Sequence, residues 1–524
     1  MHIGIDVGGT NTDSVLMDGR RLLASFKQPT TADVTAGVTT ALRSVLGTLP
    51  SGSGIDTVAI GTTRFTNAIV QARDLAPTAA IRLGLPAGAS VPPMTGWPAR
   101  LTAALGGHRF MCHGGYEFDG RELSPLDPDE LKRVAEQLVR TGVRSVAVTS
   151  IFSPLNADLE VRAAEILRRE VPELEISLSH EIGRISLIER ENATIINAAL
   201  LPLAGRTVDA MAEALRETGI DAPLYLSQND GTLMDKEYVR RYPVATFAAG
   251  PTNSMRGAAL LSGLDDCIVV DVGGTTTDVG AVSGGFPRQA STAVDIAGVR
   301  TNFRMPDVVS IGIGGGSRVT LGASPEVGPD SLGYRLGAES LVFGGSTLTA
   351  TDLAVASGAA DVGDRSAVAH LDHRAVRSAM DSVARRVGAL ADTMRTSAEA
   401  TPLVLVGGGS ILLPGAIPGF DTVVRPSEHA GVANAIGAAI AQVGGEVDRM
   451  FVLEGRSREA ALEEAKADAV DQAVGAGADP SSIEIVDVDE IPISYLPGGV
   501  TRIRVKAVGE LFARGSRGTE RSWD

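Results

Sequence analysis

Apolar positions open the chain at Ile3, Ile5 and Val7, a short strand pattern that stops at Gly8-Gly9. A second run over 14–17 and a third over 21–26 follow, divided by the turn Asp18-Gly19-Arg20, so a strand–loop–strand–turn–strand meander is predicted. Val34, Val38, Leu42 and Val45 then recur at helical spacing within 33–46, and 57–60 reads as a strand running into Gly61-Thr62-Thr63. Further on, the pattern predicts a helix over 127–140 entered through Asp127-Pro128, a strand over 145–149, a helix over 160–170 and a strand over 175–179. Such alternation implies α/β layers with buried strands.

An internal repeat dominates the sequence. Asp6-Val7-Gly8-Gly9-Thr10-Asn11-Thr12-Asp13 recurs 265 residues downstream as Asp271-Val272-Gly273-Gly274-Thr275-Thr276-Thr277-Asp278. Each copy follows one apolar strand and precedes another, at 14–17 and at 279–282. The spacing far exceeds a solenoid period and points to duplicated domains. After Gly445 the texture changes to a strand over 450–454, an Ala/Glu-rich helix over 457–474 and strands over 484–486 and 501–508, with a turn at Pro497-Gly498-Gly499. This reads as a small α+β appendage, with a frayed tail beyond Leu511 around Arg514 to Gly518.

The repeated hairpin suits polyphosphate. Adjacent glycines let the backbone turn tightly and bring amide donors near an anion. Threonine hydroxyls add donors, and an aspartate at the strand end offers an oxygen to hydrated Mg²⁺, a hard cation that keeps its waters. One copy is no more than a Gly-rich turn; two copies can face each other and clamp a nucleotide from both sides. The candidates for ATP binding are therefore Gly8, Gly9, Thr10, Asn11, Thr12 and Asp13 with Gly273, Gly274, Thr275, Thr276 and Asp278. Asp6 and Asp271 are the candidate catalytic positions and the positions that hold Mg²⁺ through water. A third element, Gly407-Gly408-Gly409-Ser410, closes a strand over 403–406 and offers flat backbone to a purine and ribose; alone it would be a strand-to-helix connection. No Walker-type Gly-x-x-x-x-Gly-Lys-Ser/Thr occurs.

Composition narrows the function classes. A formal charge of −16 argues against a nucleic-acid surface, which needs a basic patch. Apolar runs fall short of a membrane span, and Met1-His2-Ile3 opens without a basic, then apolar, leader, so a cytoplasmic protein with no membrane partner is expected. The two cysteines, Cys112 and Cys267, form no CxxC pair and read as small buried hydrophobes.

The order of two phosphate loops and an adenosine loop resembles the actin/Hsp70/sugar-kinase superfamily. Within it, Gly61-Thr62-Thr63-Arg64-Phe65-Thr66-Asn67 is similar to a segment of the hydantoinase/oxoprolinase family. So are Glu189-Arg190-Glu191-Asn192-Ala193-Thr194, Ser227-Gln228-Asn229-Asp230-Gly231 and Ala249-Gly250-Pro251-Thr252-Asn253-Ser254. Ile311 to Ser317, Val327 to Ser331 and Tyr495 to Arg502 extend the resemblance over the whole chain in order. It implies an α/β fold of duplicated RNase H-like domains, 1–185 and 186–445, with the appendage at 446–524. It implies an ATP-dependent hydrolase subunit that phosphorylates the carbonyl of a cyclic amide or imide (a hydantoin, lactam or oxoproline-like ring) so that water opens it, giving ADP and phosphate. A second hydantoinase-type subunit is implied as partner, and Thr62 and Thr63 as contacts to phosphate or substrate. The same fold also serves small-molecule kinases, with Asp230 or Asp271 as base, and non-enzymatic nucleotide switches.

Two places depart from relatives. Val309 stands where many carry the histidine of Asp-x-His-Thr, a candidate metal ligand there, and Ile60 where His-Gly-Thr-Thr is usual. Of the remaining histidines, His108 and His113 beside Cys112 read as incidental neighbours, His180 as a capping or packing residue, and His429 as part of a surface loop. Gly314-Gly315-Gly316-Ser317 fits either an anion loop or a tight turn, and Asn229-Asp230-Gly231 fits a turn better than a kinase base.

Overall fold

The computed structural model describes residues 1–30, 34–290, 293–322, 324–397, 399–426, 428–494 and 498–512. The expected tail at 514–518, residues 495–497 of the family-like closing segment, and the first residue of the 33–46 helix lie outside them. The chain is a mixed α/β protein whose described strands form a nine-stranded, a six-stranded and a four-stranded sheet plus two small hairpins.

The nine-stranded sheet begins as the meander predicted from the first residues. His2–Val7 pairs antiparallel with Asn11–Asp18, which pairs with Arg21–Pro29. On its other side His2–Val7 runs parallel to Thr57–Thr62, and that strand parallel to Leu224–Ser227. The six-stranded sheet repeats this order. Cys267–Val272 is antiparallel to Thr277–Ser283 and parallel to Leu403–Val406, which is parallel to Val423–Val424. The sequence repeat is thus a repeat of strand pairing, register included: Asp6 lies opposite Asp13, and Asp271 opposite Asp278.

The sheets do not divide where the expected boundary at 185/186 falls. Helix Leu187–Glu217 and strands Leu224–Ser227 and Leu233–Asp235 belong with the first sheet. The expected appendage also joins that sheet: Val443–Phe451 runs parallel to Leu233–Asp235, and Thr501–Gly509 and Glu484–Pro492 add outward from it. The strand expected at 450–454 is this Val443–Phe451, in which Val443, Gly445, Val447 and Phe451 point inward; the glycine pair hides the alternation from a hydropathy reading. Helix Arg458–Gly475 lays Ala461, Ala465, Ala469 and Ala473 on these strands, one alanine per turn, because Gly445 leaves no room for anything larger.

The four-stranded parallel sheet, His108–His113, Thr78–Leu85, Ser145–Ser150 and Glu175–Leu178, is an insertion after the first βα unit. The helix over 127–140 is Pro128–Thr141: Asp127 caps it by accepting from the amides of Asp129 and Glu130, and Gly142 ends it in the left-handed region. Its Leu131, Val134, Ala135 and Leu138 form the buried stripe. The long helix Leu187–Glu217 is held against this insertion by buried polar pairs. Arg82 forks onto Glu191, both at most 2% exposed, and Arg190 reaches Ser179 Oγ and the carbonyl of Ser150.

Two helices cross between the sheets. Ala249–Ser262 packs on the second sheet and Ala433–Ala439 on the first, and they touch backbone to backbone. A Cβ at Gly257 would stand 1.9 Å from the Ala433 carbonyl oxygen, and one at Gly437 1.9 Å from that of Asn253. Gly257→Ala is therefore expected to destabilise by about 1–3 kcal/mol through overpacking. Gly337→Ala, at an exposed helical glycine with nothing within 4 Å, is expected to be neutral or slightly stabilising. Urea unfolding of the two variants checks this; equal midpoints would show that the helix crossing has slack.

Candidate functional site at the facing hairpins

Each Gly-Gly turn closes by the same bond. The Gly8 amide donates to the Asn11 carbonyl at 3.0 Å, and the Gly273 amide to the Thr276 carbonyl at 2.9 Å. The two turns face each other across the cleft: Thr10 Oγ1 lies 3.5 Å from Thr275 Oγ1, and a Cβ on Gly274 would come within 3.1 Å of Thr10 Oγ1. All the hairpin residues singled out in the sequence, Asp6 to Asp13 and Asp271 to Asp278, are thereby brought to one place.

The strand-end aspartates are set by their neighbours. Gly61, opposite Asp6 in the neighbouring strand, and Gly407, at the start of the loop after 403–406, stand beside them, and a Cβ at either would collide with Asp6 Oδ1 (2.7 Å) or Asp271 Oδ1 (2.2 Å). Gly407 also takes a φ of +87°, which favours glycine. The Gly407–Ser410 loop thus lies directly behind the second hairpin, where Gly408–Leu412 forms one 3₁₀ turn. Thr62 ends the strand beside Val7, and Thr63 precedes helix Arg64–Gln71. Thr62 Oγ1 accepts from the Arg64 amide and Thr63 Oγ1 from Asn67 Nδ2, so both hydroxyls keep a proton to donate.

Gly314–Ser317 braces the second hairpin. The amides of Gly315 and Gly316 donate to the carbonyls of Gly273 and Gly274 at 3.0 and 2.7 Å, so of the two earlier readings the tight turn describes it. Val309 pairs with Val279 and is 38% exposed, beside Ser310, whose hydroxyl donates to Asp278. Ile60 is fully buried in its strand.

Four carboxylates gather here with one lysine. Asp6 and Asp13 are buried, and Asp271 and Asp278 half-buried. Burial, then the charges of Asp13 and Asp271, push Asp6 up to about 7; burial, with Asp271 nearby, pushes Asp278 up to about 6. Asp13 and Asp271 are also raised by burial, against the pull of Lys27, whose Nζ is 2.7 Å from Asp13. Asn434 Nδ2 donates to Asp6 Oδ2 at 2.8 Å, Ser254 Oγ donates to Asp271, and Asp6 Oδ1 is buried with no hydrogen-bond partner. Sequence reading missed Lys27, Ser254 and Asn434. Ser254 lies within a family-like segment and could have been found; Asn434 sits in an Ala/Gly-rich stretch that gives no sign of it.

The other candidates lie apart. His113 Nδ1 pairs with Glu130 at 2.9 Å and His180 Nδ1 with the buried Glu160 at 2.7 Å. Both cysteines are buried, and burial pushes each thiol up to about 12. Asp230 is committed: Oδ1 accepts from Thr232, and Oδ2 pairs with Lys506 at 2.9 Å, so neither oxygen is free to act as a kinase base. Among the described residues no three of His, Cys, Asp and Glu converge to enclose an ion, and no helix is long and apolar enough to cross a membrane.

Comparison with known proteins follows this geometry. The family model described as the hydantoinase/oxoprolinase N-terminal region matches residues 2–171, and the hydantoinase/oxoprolinase model matches 190–392. Caprolactamase subunit alpha of Pseudomonas jessenii is 28% identical over 385 residues, which are 68% of this chain and 54% of that protein. The acetophenone carboxylase gamma subunit of Aromatoleum aromaticum is 29% identical over 252 residues, 46% of this chain and 34% of that protein. The chain thus spans about half, or less, of the length of these curated relatives. The crystal structure of ATP-dependent caprolactamase from Pseudomonas jessenii superposes with a TM-score of 0.75 at 20% identity, covering 98% of this chain and 88% of that one. Nucleotide-free acetone carboxylase superposes with a TM-score of 0.66 at 19% identity, covering 97% and 88%. Both likenesses concern the fold. The two family models lie end to end over most of the chain, in the order its motifs require, and the chain belongs to the hydantoinase/oxoprolinase family.

Proposed function

We propose that this chain is the ATP-binding subunit of an ATP-dependent cyclic-amide hydrolase, with the nucleotide held between the two facing hairpins. The observation that carries this reading is the Thr10–Thr275 approach with Asp6 and Asp271 behind it. We read the two sheets as duplicated RNase H-like halves, bounded by their strands and not by residue 185, with 443–512 as an α+β extension of the first. A second hydantoinase-type subunit belongs to the proposal, since relatives are named as subunits.

The residues fit Mg²⁺. A buried, unpartnered Asp6 Oδ1 and three further carboxylates against one lysine form a site short of positive charge. Asp6 and Asp271 would hold the ion through its waters, and the ion would supply charge that offsets the phosphoryl oxygens. ATP would supply the phosphoryl group that activates the amide oxygen; one water adds to that carbon as the ring C–N bond breaks, giving an amine and an acyl phosphate, and a second water splits the acyl phosphate into carboxylate and phosphate. In this reading Thr62 and Thr63 donate to an oxyanion, and the amides beyond Gly8 and Gly273 to phosphate oxygens. The carboxylase relatives favour a second reading, in which the same phosphorylation activates a ketone carbonyl instead.

Phosphate release measured over hydantoins, lactams, 5-oxoproline, ketones with bicarbonate, and sugars separates these readings. Ring opening with ADP and free phosphate is expected; a stable phosphorylated product would replace the proposal with a kinase. Asp6→Ala and Asp271→Ala are each expected to abolish ATP turnover, and near-normal turnover in either would overturn the site.

The raised carboxyls also fix a sign. Folded Asp6 keeps its proton up to about pH 7, whereas an unfolded aspartate loses it near its ordinary pKa of ~3.9. Its contribution to stability is therefore greatest at acidic pH and falls as pH rises through that window. The urea midpoint of the ligand-free chain is expected to fall between pH 5 and 7.5 (about, from those bounds), Asp6→Asn to flatten the fall, and Mg²⁺ with ADP to restore stability most at the higher pH. An Asp6→Asn profile parallel to the parent would refute the assignment.

A further inference from the structure

A cavity of about 780 Å³ lies beside the hairpin site, and neither Asp6, Asp271 nor any hairpin glycine lines it. Its floor is the turn Gln228–Thr232; its walls come from residues 180–185, residues 302–304 and the strands Val443–Phe451 and Thr501–Gly509. Arg184, Arg304 and Arg502 line it around one carboxylate, Asp448.

That carboxylate is already saturated. Arg502 forks onto it, with Nε 2.6 Å from Oδ1, and Arg304 approaches Oδ2 at 2.9 Å. Arg184 comes no closer than 3.8 Å, and its Nε is buried without a hydrogen-bond partner. Outward, Arg304 and Arg504 also meet Glu446, Arg504 meets Asp487, and Asp489 lies opposite Arg504 in the sheet. The other acids that line the cavity are engaged elsewhere: Asp230 with Lys506, Glu181 with Arg241, and Asp235 as a helix cap. Arg184 is left as a half-buried guanidinium without a hydrogen-bonded carboxylate. Burial, then Arg304 and Arg502 as like-charged neighbours, lowers Arg184 to about 10.

We propose that the cavity binds a small carboxylate-bearing molecule, whose carboxylate seats on Arg184 beside Arg304. A planar guanidinium fork matches a carboxylate in shape, and Arg184 Nε has no hydrogen-bond partner of its own. Leu155, Met234, Val244 and Phe303 supply apolar wall for a carbon skeleton, and the volume lies within the range of small-molecule sites. The site does not depend on the nucleotide reading, because none of its residues belongs to the hairpins.

Titration calorimetry of the full chain with acetate, glutarate and benzoate, each beside its neutral amide, tests this without nucleotide. At least one carboxylate is expected to bind at millimolar concentration or tighter, and about tenfold or more tighter than its amide. Arg184→Gln is expected to remove that preference while leaving Mg²⁺–ADP binding and the unfolding midpoint unchanged. Failure of every carboxylate, equal binding of acid and amide, or a preference that survives Arg184→Gln would overturn the proposal. The acid–amide comparison on the parent chain decides the matter even if the variant does not fold.

Discussion

Asp6 and Asp271 stand at the ends of two strands in space that exists only because Gly61 and Gly407 have no side chains. Burying a carboxylate is costly unless something offsets it, and neutral donors do only part of that here: Asn434 for Asp6, Ser254 for Asp271. The remaining deficit is electrostatic, and it raises Asp6, Asp271 and Asp278 above the ordinary carboxylate range. The amides of Gly315 and Gly316 hold the second hairpin from behind, Lys27 pairs with Asp13 in the first, and the glycine turns let the two approach without bulk between them.

The donors reach the aspartates from two helices, of which the second crosses between the sheets. Ala249–Ser262 precedes the second half's central strand and gives Ser254 to Asp271; Ala433–Ala439 follows the second half's last strand and gives Asn434 to Asp6 in the first. Gly4 admits this second helix, because a Cβ there would lie 2.1 Å from the Ala435 carbonyl oxygen. The two sheets are therefore tied through a helix pair as well as through the facing hairpins.

What the sequence disclosed follows the same logic. The hairpins were legible because they demand glycines, hydroxyls and carboxylates at fixed positions, and the meander because its apolar runs are short and bounded by turns. Helix Leu187–Glu217 was not, since Arg190, Glu191, Asn192, Thr194 and Asn197 are all buried in it and erase any polar face. Sheet membership was equally hidden: the join of the C-terminal strands to the first sheet rests on one pairing, Leu233 with Val443, more than two hundred residues apart. Asn434 carries no local signature, because its role comes from where its helix lands. The cavity arginines belong to this class too; Arg184, Arg304 and Arg502 meet only through the fold.

One turn of helix connects the two sites. Thr252 Oγ1 donates to the Asn229 carbonyl at 3.1 Å, on the cavity floor; Asn253 Nδ2 donates to Ser227 Oγ at 3.0 Å, at the end of the neighbouring strand; Ser254 donates to Asp271. Three successive residues thus touch the cavity, the first sheet and the second half's carboxylate. Such a row can keep all three contacts only if the helix has a single resting position, and the Gly257 contact with Ala433 removes the freedom to choose another. The polar triplet and the glycine fall within six positions because they solve one problem: holding a buried charge in one half at a fixed distance from the floor of the other.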